Sequence, residues 1–205
     1  MSYTYEHEDN AAVLETWEWD NAWIERTDDK ETRRVLYIGD SISVDTRKAA
    51  NRLAGDSLRV DSFSTSKAVD NPQFGEAVRL FAAQQPKRDA ILFNNGLHGW
   101  HLDDEADYPR YYEEMVKYLL DTFPATPVVV VLTTHVASEK RDVRVVTRNK
   151  AAKVIAAKYG LAVIDLYTPT AADPSLLGAD GVHFTPEGWE VLAGTIIHEV
   201  TALLK

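Results

Sequence analysis

Two hydrophobic periods alternate along the chain from residue 35 onward. Short apolar runs, rich in β-branched residues, predict buried strands at 35–38, 58–63, 90–94, 127–133 and 161–165. Between and after them, partial helical periodicity predicts helices at about 44–53, 74–84, 108–123, 143–159 and 185–204. Strands that alternate with helices favour right-handed crossovers, so the pattern predicts a parallel sheet covered by helices on both faces.

The first 33 residues have a different character, being acidic and rich in tryptophan. Residues 16–20 alternate as an edge strand would, which predicts an arm (1–33) packed on a single main domain (34–205). A second interpretation is that Trp17, Trp19 or Trp23 offers a flat platform to a sugar ring.

Composition narrows the range of partners. With 205 residues and 45% hydrophobic residues, the chain is long enough for one sizeable core and short for two. The 32 acidic and 22 basic residues give a net charge of −10 without a basic stripe, which argues against nucleic acid and anionic membranes as partners. The oligomeric state stays open.

The same sequence predicts a cytoplasmic protein. There is no cysteine, so there is no disulfide framework and no thiolate metal site. The N-terminal residues have neither the basic start nor the apolar run of a signal peptide, and the longest apolar run, 128–132, is too short to span a bilayer. No cofactor is expected.

A serine stands where the first predicted strand gives way to a helix. Gly39 can supply the turn, and Ser41 follows at a helix N-terminus, whose free N–H groups favour negative charge. This is a suitable place for a nucleophile at the carboxyl end of a sheet. The alternative is that Asp40 and Ser41 only cap the helix.

A base and an acid share one short loop near the end of the chain. Asp180 and His183 precede Thr185 and Pro186, which have the pattern of an N-cap and a first helical residue. A nucleophilic serine needs a base, and the base needs a group that holds its tautomer. Together with Ser41, these residues supply all three types.

The motifs resemble those of a known family. Gly39-Asp40-Ser41 and Asp180-x-x-His183 are similar to the first and last signature blocks of the SGNH (GDSL-type) hydrolases. The resemblance covers roughly 35–205. It implies a three-layer α/β/α sandwich with a five-stranded, parallel, flavodoxin-like sheet in the order 2-1-3-4-5, and a site at the carboxyl ends of the strands.

The two middle blocks depart from the family pattern. The second lacks its glycine, and the N–H of Ser64 is the candidate replacement, although a serine-rich turn that satisfies its own backbone is an alternative. In the third, aligned on Gly96, His98 takes the place of the usual asparagine and Gly99 that of the aspartate. The resemblance then implies an oxyanion hole made by the N–H groups of Ser41 and Ser64 and by the His98 ring.

Residues near the third block are expected to line the substrate cleft: Asn95, Trp100 and His101, with Asp103 and Asp104 beside them. The spacing of His98 and His101 is compatible with a metal, but neither His-Glu-x-x-His nor a clustered third ligand accompanies them, so no metal site is expected. Further side chains have a supporting or surface role in this interpretation: His135, Arg148, Asn149 and Asp165.

Together these motifs predict a serine esterase that hydrolyses small acyl esters through an acyl-enzyme, with Ser41, His183 and Asp180 as the triad. The resemblance favours acetyl groups on a carbohydrate. Three alternatives stay open: a lipid esterase or thioesterase of the same fold, an acyltransferase, and a non-catalytic glycan-binding protein with a decayed site.

Overall fold

A six-stranded sheet forms the centre of the molecule. The computed structural model describes residues 14–15, 17–102 and 107–205. The strands are β1 Asp20–Trp23, β2 Arg34–Gly39, β3 Arg59–Thr65, β4 Ala90–Phe93, β5 Val128–Val131 and β6 Ala162–Ile164. They lie in the order β1-β3-β2-β4-β5-β6, and all neighbours are parallel except β1 and β3.

Helices cover both faces of this sheet. They are α1 Ser41–Ala54, α2 Phe74–Ala82, α3 Asp107–Thr122, α4 Glu139–Tyr159, α5 Tyr167–Ala172 and α6 Pro186–Leu203, with a 3₁₀ turn at Pro174–Leu176. Among the described residues, no helix is sufficiently long and apolar to cross a membrane.

The pleat of β2 separates two hydrophobic cores. Leu36 and Ile38 pack with residues of α2, α3 and α4, whereas Val35 and Tyr37 pack with residues of α1 and α6. Successive side chains of a strand point to opposite faces, so an apolar run buried on both sides is what a central parallel strand requires. The predicted three-layer arrangement is confirmed.

The predicted strand order is also confirmed, because the five predicted strands are β2 to β6 and lie in the order β3-β2-β4-β5-β6. The differences are local. The edge strand lies at Asp20–Trp23, where residues 62–65 of β3 are its partners, and this antiparallel β1 makes the sheet six-stranded. The sequence predicted it at 16–20, of which residues 17–19 are not in a strand and residue 16 lies outside the described residues. The short α5 and the 3₁₀ turn were not predicted, because segments this short show little periodicity.

A buried arginine holds the N-terminal segment at the amino end of the sheet. This segment comprises the described residues before β2, 14–15 and 17–33. Arg34 is fully buried, and its guanidinium donates to Asp61 Oδ1 at 2.6 Å. The same group donates to the carbonyl oxygens of Glu25, Arg26 and Asp29, at 2.7, 3.0 and 3.1 Å. A buried charge is tolerated only with such partners. The guanidinium of Arg34 therefore needs the carbonyl oxygens of this segment, and the segment needs Arg34 to hold it in place.

We expect Arg34→Met to lower the free energy of unfolding by roughly 3–5 kcal/mol, because it leaves the Asp61 carboxylate buried without its ion-pair partner. The neighbouring Arg33 is exposed, so Arg33→Met removes the same charge without that burial. Urea unfolding of both variants measures the difference. Equal losses in the two variants would contradict the proposed anchoring role of Arg34.

Candidate active site

Ser41 begins α1, directly after β2. Asp40 is the N-cap, and its Oδ1 accepts a hydrogen bond from the Ile42 N–H at 3.0 Å. Gly39 allows the tight approach, since a Cβ there would lie 2.8 Å from Ser43 Cβ. The strand end and the cap therefore place the half-buried Ser41 at the carboxyl edge of the sheet.

The chain brings Ser41, His183 and Asp180 together. His183 Nε2 lies 2.8 Å from Ser41 Oγ, and His183 Nδ1 lies 2.7 Å from Asp180 Oδ2. A carboxylate only accepts hydrogen bonds, so Nδ1 carries the hydrogen and the Nε2 lone pair faces the serine hydroxyl. This is the tautomer that a base toward Ser41 needs.

Backbone contacts hold the Asp180–His183 loop in place. Asp180 Oδ1 accepts from the N–H groups of Val182 and His183 at 3.0 and 2.9 Å. Partial burial acts to raise the pKa of Asp180, but these hydrogen bonds and that of the His183 ring lower it on balance. Thr185 caps α6 as predicted, its Oγ1 accepting from Gly188 N at 3.2 Å.

His98 contacts a residue of the N-terminal segment. Its Nδ1 lies 2.9 Å from Glu15 Oε1, which also accepts from Gly99 N at 3.3 Å. The Trp19 ring packs edge-on against His98, with centroids 6.1 Å apart. Burial raises the pKa of Asp40, and the charges of His98 and His183 oppose that shift.

Arg148 of α4 holds the loop that carries His98. Its guanidinium donates to the carbonyl oxygens of Gly96 (3.1 Å), His98 (2.6 Å) and Gly99 (2.7 Å). It also lies over the ring of Trp100, 4.8 Å from the centroid. Burial lowers the pKa of Arg148 to about 10, so the group is still charged at neutral pH.

Asn149 and Asp165, for which the sequence predicted a supporting role, bond to nearby backbone groups. Asn149 bonds both backbone groups of Thr133, its Oδ1 accepting from Thr133 N and its Nδ2 donating to Thr133 O, each at 2.8 Å. Asp165 Oδ1 accepts from the N–H groups of Tyr167 and Thr168 at the start of α5, both at 2.9 Å. Both residues therefore order loops around the site.

The geometry argues against Ser64 as an oxyanion donor. Ser64 lies within β3, between Asn21 of β1 and Gly39 of β2. Ser66 N donates to Trp19 O of the N-terminal segment, and alternate residues of a strand direct their N–H groups to the same side, so the Ser64 N–H faces β1. Its hydroxyl lies 2.6 Å from Ser43 Oγ.

Two of the predicted substrate-binding residues are buried within the protein. Asn95 donates from Nδ2 to Lys67 O at 2.8 Å, and its backbone carbonyl oxygen accepts from the Tyr108 hydroxyl. Trp100 is only 3% exposed, and the guanidiniums of Arg144 and Arg148 lie over its ring, so the ring is unavailable for stacking on a sugar. Both residues are held within the loop after β4, and their burial argues against the predicted contact with substrate.

His101 is bonded to a carboxylate of its own, with Nε2 at 2.7 Å from Asp70 Oδ2. It is partly buried, and its contact with substrate stays a prediction. Asp103 and Asp104 lie outside the described residues. Within the described part of the chain, no group of three or more His, Cys, Asp or Glu side chains could hold a metal ion.

A polar cluster that the sequence did not predict lies beside the Asp180–His183 loop. His135 Nδ1 lies 2.8 Å from Asp142 Oδ1, and the Tyr167 hydroxyl donates to Asp142 Oδ2 at 2.7 Å. Burial and this carboxylate raise the pKa of Tyr167 to about 12. Ala137 N donates to Gly181 O at 2.8 Å, which joins the loop after β5 to the Asp180–His183 loop.

We expect Arg148→Lys to lower the free energy of unfolding by roughly 2–3 kcal/mol. An ammonium cannot span three carbonyl oxygens as a guanidinium does, so buried acceptors are left unpaired. Lys150 lies two residues away and is exposed, so Lys150→Arg makes the reverse exchange as a control. Denaturant titration followed by circular dichroism measures both. If Arg148→Lys had the same unfolding free energy as the wild type, Arg148 would not be needed to hold the loop that carries His98.

No protein-family model matches the sequence, and no curated protein matches it. Solved structures do match. A GDSL-like lipase from Bacteroides thetaiotaomicron has a TM-score of 0.69 at 15% identity, over 88% of this chain and 93% of that one.

Two further matches are named as acetyl-group enzymes. The acetyl xylan esterase AlAXEase has a TM-score of 0.65 at 14% identity, over 82% of this chain and 99% of that one. The C-terminal catalytic domain of peptidoglycan O-acetyltransferase A from Streptococcus pneumoniae has a TM-score of 0.64 at 16% identity, over 83% and 94%. Other matches carry the names lipase/acylhydrolase, GDSL and SGNH hydrolase. The chain therefore has the fold of the SGNH (GDSL-type) hydrolases.

Proposed function

We propose that this protein is a serine esterase that removes small acyl groups, foremost acetyl, from a carbohydrate. The observation that carries the proposal is the hydrogen-bonded chain from Ser41 through His183 to Asp180. It lies at the carboxyl edge of the sheet, in a fold shared with proteins named as esterases and acylhydrolases.

The geometry supports a two-step reaction. Ser41 Oγ attacks the ester carbonyl while His183 Nε2 takes its proton, and Asp180 stabilises the imidazolium that forms. His183 then returns the proton to the leaving alcohol as the C–O bond breaks, which leaves an acyl group on Ser41. Water then attacks that acyl group and gives a proton to His183. The bond between the acyl carbon and Ser41 Oγ breaks as His183 passes this proton to Oγ, so the carboxylic acid is released and the free serine is regenerated.

The negative oxygen of each tetrahedral intermediate needs donors. The Ser41 N–H at the start of α1 is one candidate, because the first turn of a helix has N–H groups without helical acceptors. The His98 ring is the second, from the loop that Arg148 holds. Ser64 is not included, since its N–H faces β1.

A carbohydrate substrate is supported by one structural match and one side chain. The matched acetyl xylan esterase is named for an acetylated glycan. In this chain Trp17 is 53% exposed and lies two residues from Glu15, which contacts His98. An exposed indole at that place can stack on a sugar ring.

Acyl transfer is the second candidate, because another match is named as a peptidoglycan O-acetyltransferase. The same acyl-enzyme would pass its group to an acceptor alcohol in place of water. A sugar alcohol added to the assay separates the two: a transferase forms the new ester at the expense of free acetate, whereas a hydrolase continues to release acetate.

We expect Ser41→Ala to reduce acetate release by roughly 10⁴–10⁶-fold, because the nucleophile is lost. The assay uses p-nitrophenyl acetate and a panel of acetylated xylo- and manno-oligosaccharides. The exposed Ser57 provides the control, since Ser57→Ala removes a hydroxyl beyond the C-terminal end of α1, at the opposite end of that helix from Ser41. Activity that survives Ser41→Ala would exclude Ser41 as the nucleophile.

The substrate panel tests the second half of the proposal. Release from one glycan that disappears in Ser41→Ala supports a carbohydrate esterase. Serine-dependent release from p-nitrophenyl acetate alone would overturn the carbohydrate assignment and favour lipid or thioester substrates. No release from any ester would overturn the esterase proposal and favour a binding protein.

We expect His98→Ala to lower kcat on the order of 10²–10³-fold with little change in KM, because an oxyanion donor acts in the transition state rather than on the bound ester. Steady-state kinetics on the best substrate measure this split. A loss confined to KM would place His98 in substrate binding only.

A further inference from the structure

We propose that Glu15 is a positioning residue that holds His98 as a doubly protonated imidazolium, so that His98 stabilises the oxyanion as a cation. The inference rests on the proposed function, because it specifies how the oxyanion donor of that reaction is built. It assigns a role at the site to the N-terminal segment, outside the part of the chain that carries the sequence motifs.

The first step concerns the hydrogen on Nδ1. Glu15 Oε1 lies 2.9 Å from His98 Nδ1, and the two side chains are only 3% and 1% exposed. The same oxygen accepts from the Gly99 N–H at 3.3 Å. An oxygen that accepts from one N–H is set up to accept from the ring as well, so the hydrogen lies on Nδ1 and Glu15 is a carboxylate.

The second step concerns Nε2. A neutral imidazole with its hydrogen on Nδ1 has only a lone pair on Nε2 and would repel a negative oxygen. If His98 donates to the oxyanion, both ring nitrogens must therefore carry hydrogen. The Glu15 contact makes the cationic form of the ring a requirement of the mechanism.

The third step concerns the charges around the ring. The charged and titratable groups around the loop that carries His98 are Glu15 of the N-terminal segment, Asp40 at the start of α1, His183, and Arg144 and Arg148 of α4. Burial raises the pKa of Asp40, whereas Glu15 contacts the ring directly and is only 3% exposed. Because a buried carboxylate needs a charged partner, the Glu15 contact favours a cationic His98.

The two histidines then need opposite protonation states. His183 must be neutral to accept the Ser41 proton, whereas His98 must be charged to donate to the oxyanion. The rate should therefore fall at high pH as His98 loses its proton, and this fall is the alkaline limb of the pH profile.

Glu15→Gln is the direct test, because an amide oxygen still accepts from Nδ1 but carries no charge. We expect His98 in the full-length variant to lose its proton at least one pH unit lower than in the wild type. The alkaline limb of kcat/KM should move by the same amount. Glu25→Gln makes the same change on the same segment, where Glu25 bonds Trp23 Nε1 and not His98, so both readouts should match the wild type.

The protonation of His98 is measured by nitrogen-15 NMR of the ring between pH 5 and 9. The chain has six histidines, and the signals lost in His98→Asn identify the right one. His98→Asn gives a second kinetic test as well, since an amide N–H donates at any pH. We expect this variant to retain part of the activity and to lose the alkaline limb.

Two outcomes would overturn the inference and leave the esterase proposal standing: a wild-type His98 that is neutral at pH 7, or an alkaline limb unchanged in Glu15→Gln. Conversely, if Ser41→Ala retained full activity, the proposed function would fail while the NMR titration still reported on the Glu15–His98 pair. Should Glu15→Gln fail to fold, the wild-type ring signals and the His98→Asn profile decide the question.

Discussion

Pairing of β2 on both edges is the constraint on which the rest of the site depends. All six residues of β2 are buried, and its backbone pairs in parallel with β3 on one side and β4 on the other. Parallel strands end at the same edge of a sheet, so the loops after these three strands meet there. The position of Ser41 is set by where β2 ends, and that of His98 by the loop that follows β4.

The site is built from buried polar groups whose cost is offset by specific partners. Arg148 satisfies three carbonyl oxygens of one loop, and Asn149 satisfies both backbone groups of Thr133 in the next. Such groups are strongly unfavourable when unpaired, which restricts the loops to one arrangement. The precision required of a catalytic site can therefore come from polar contacts that do not themselves touch substrate.

The N-terminal segment is tied to both ends of the sheet. Arg34 and Asp61 hold residues 25–29 at the amino end, and β1 runs antiparallel along the outer edge of β3. At the carboxyl end, Glu15 reaches the His98 ring. The sequence predicts this segment as an arm packed on the main domain, but through Glu15 it contacts the candidate site. Substitutions in the segment can therefore alter the site.

The sequence by itself determined the elements, their order and the candidate triad. These depend on hydrophobic period, caps and short motifs, all of which are local: Thr185 and Pro186 begin α6, and Asp180 stands three residues from His183. Only the tertiary structure decided that Ser64 faces β1, that Trp100 is covered by Arg148, and that Glu15 contacts a ring 83 residues away. The direction of an N–H and the choice of a distant partner follow from the packing of whole elements, which no local pattern encodes.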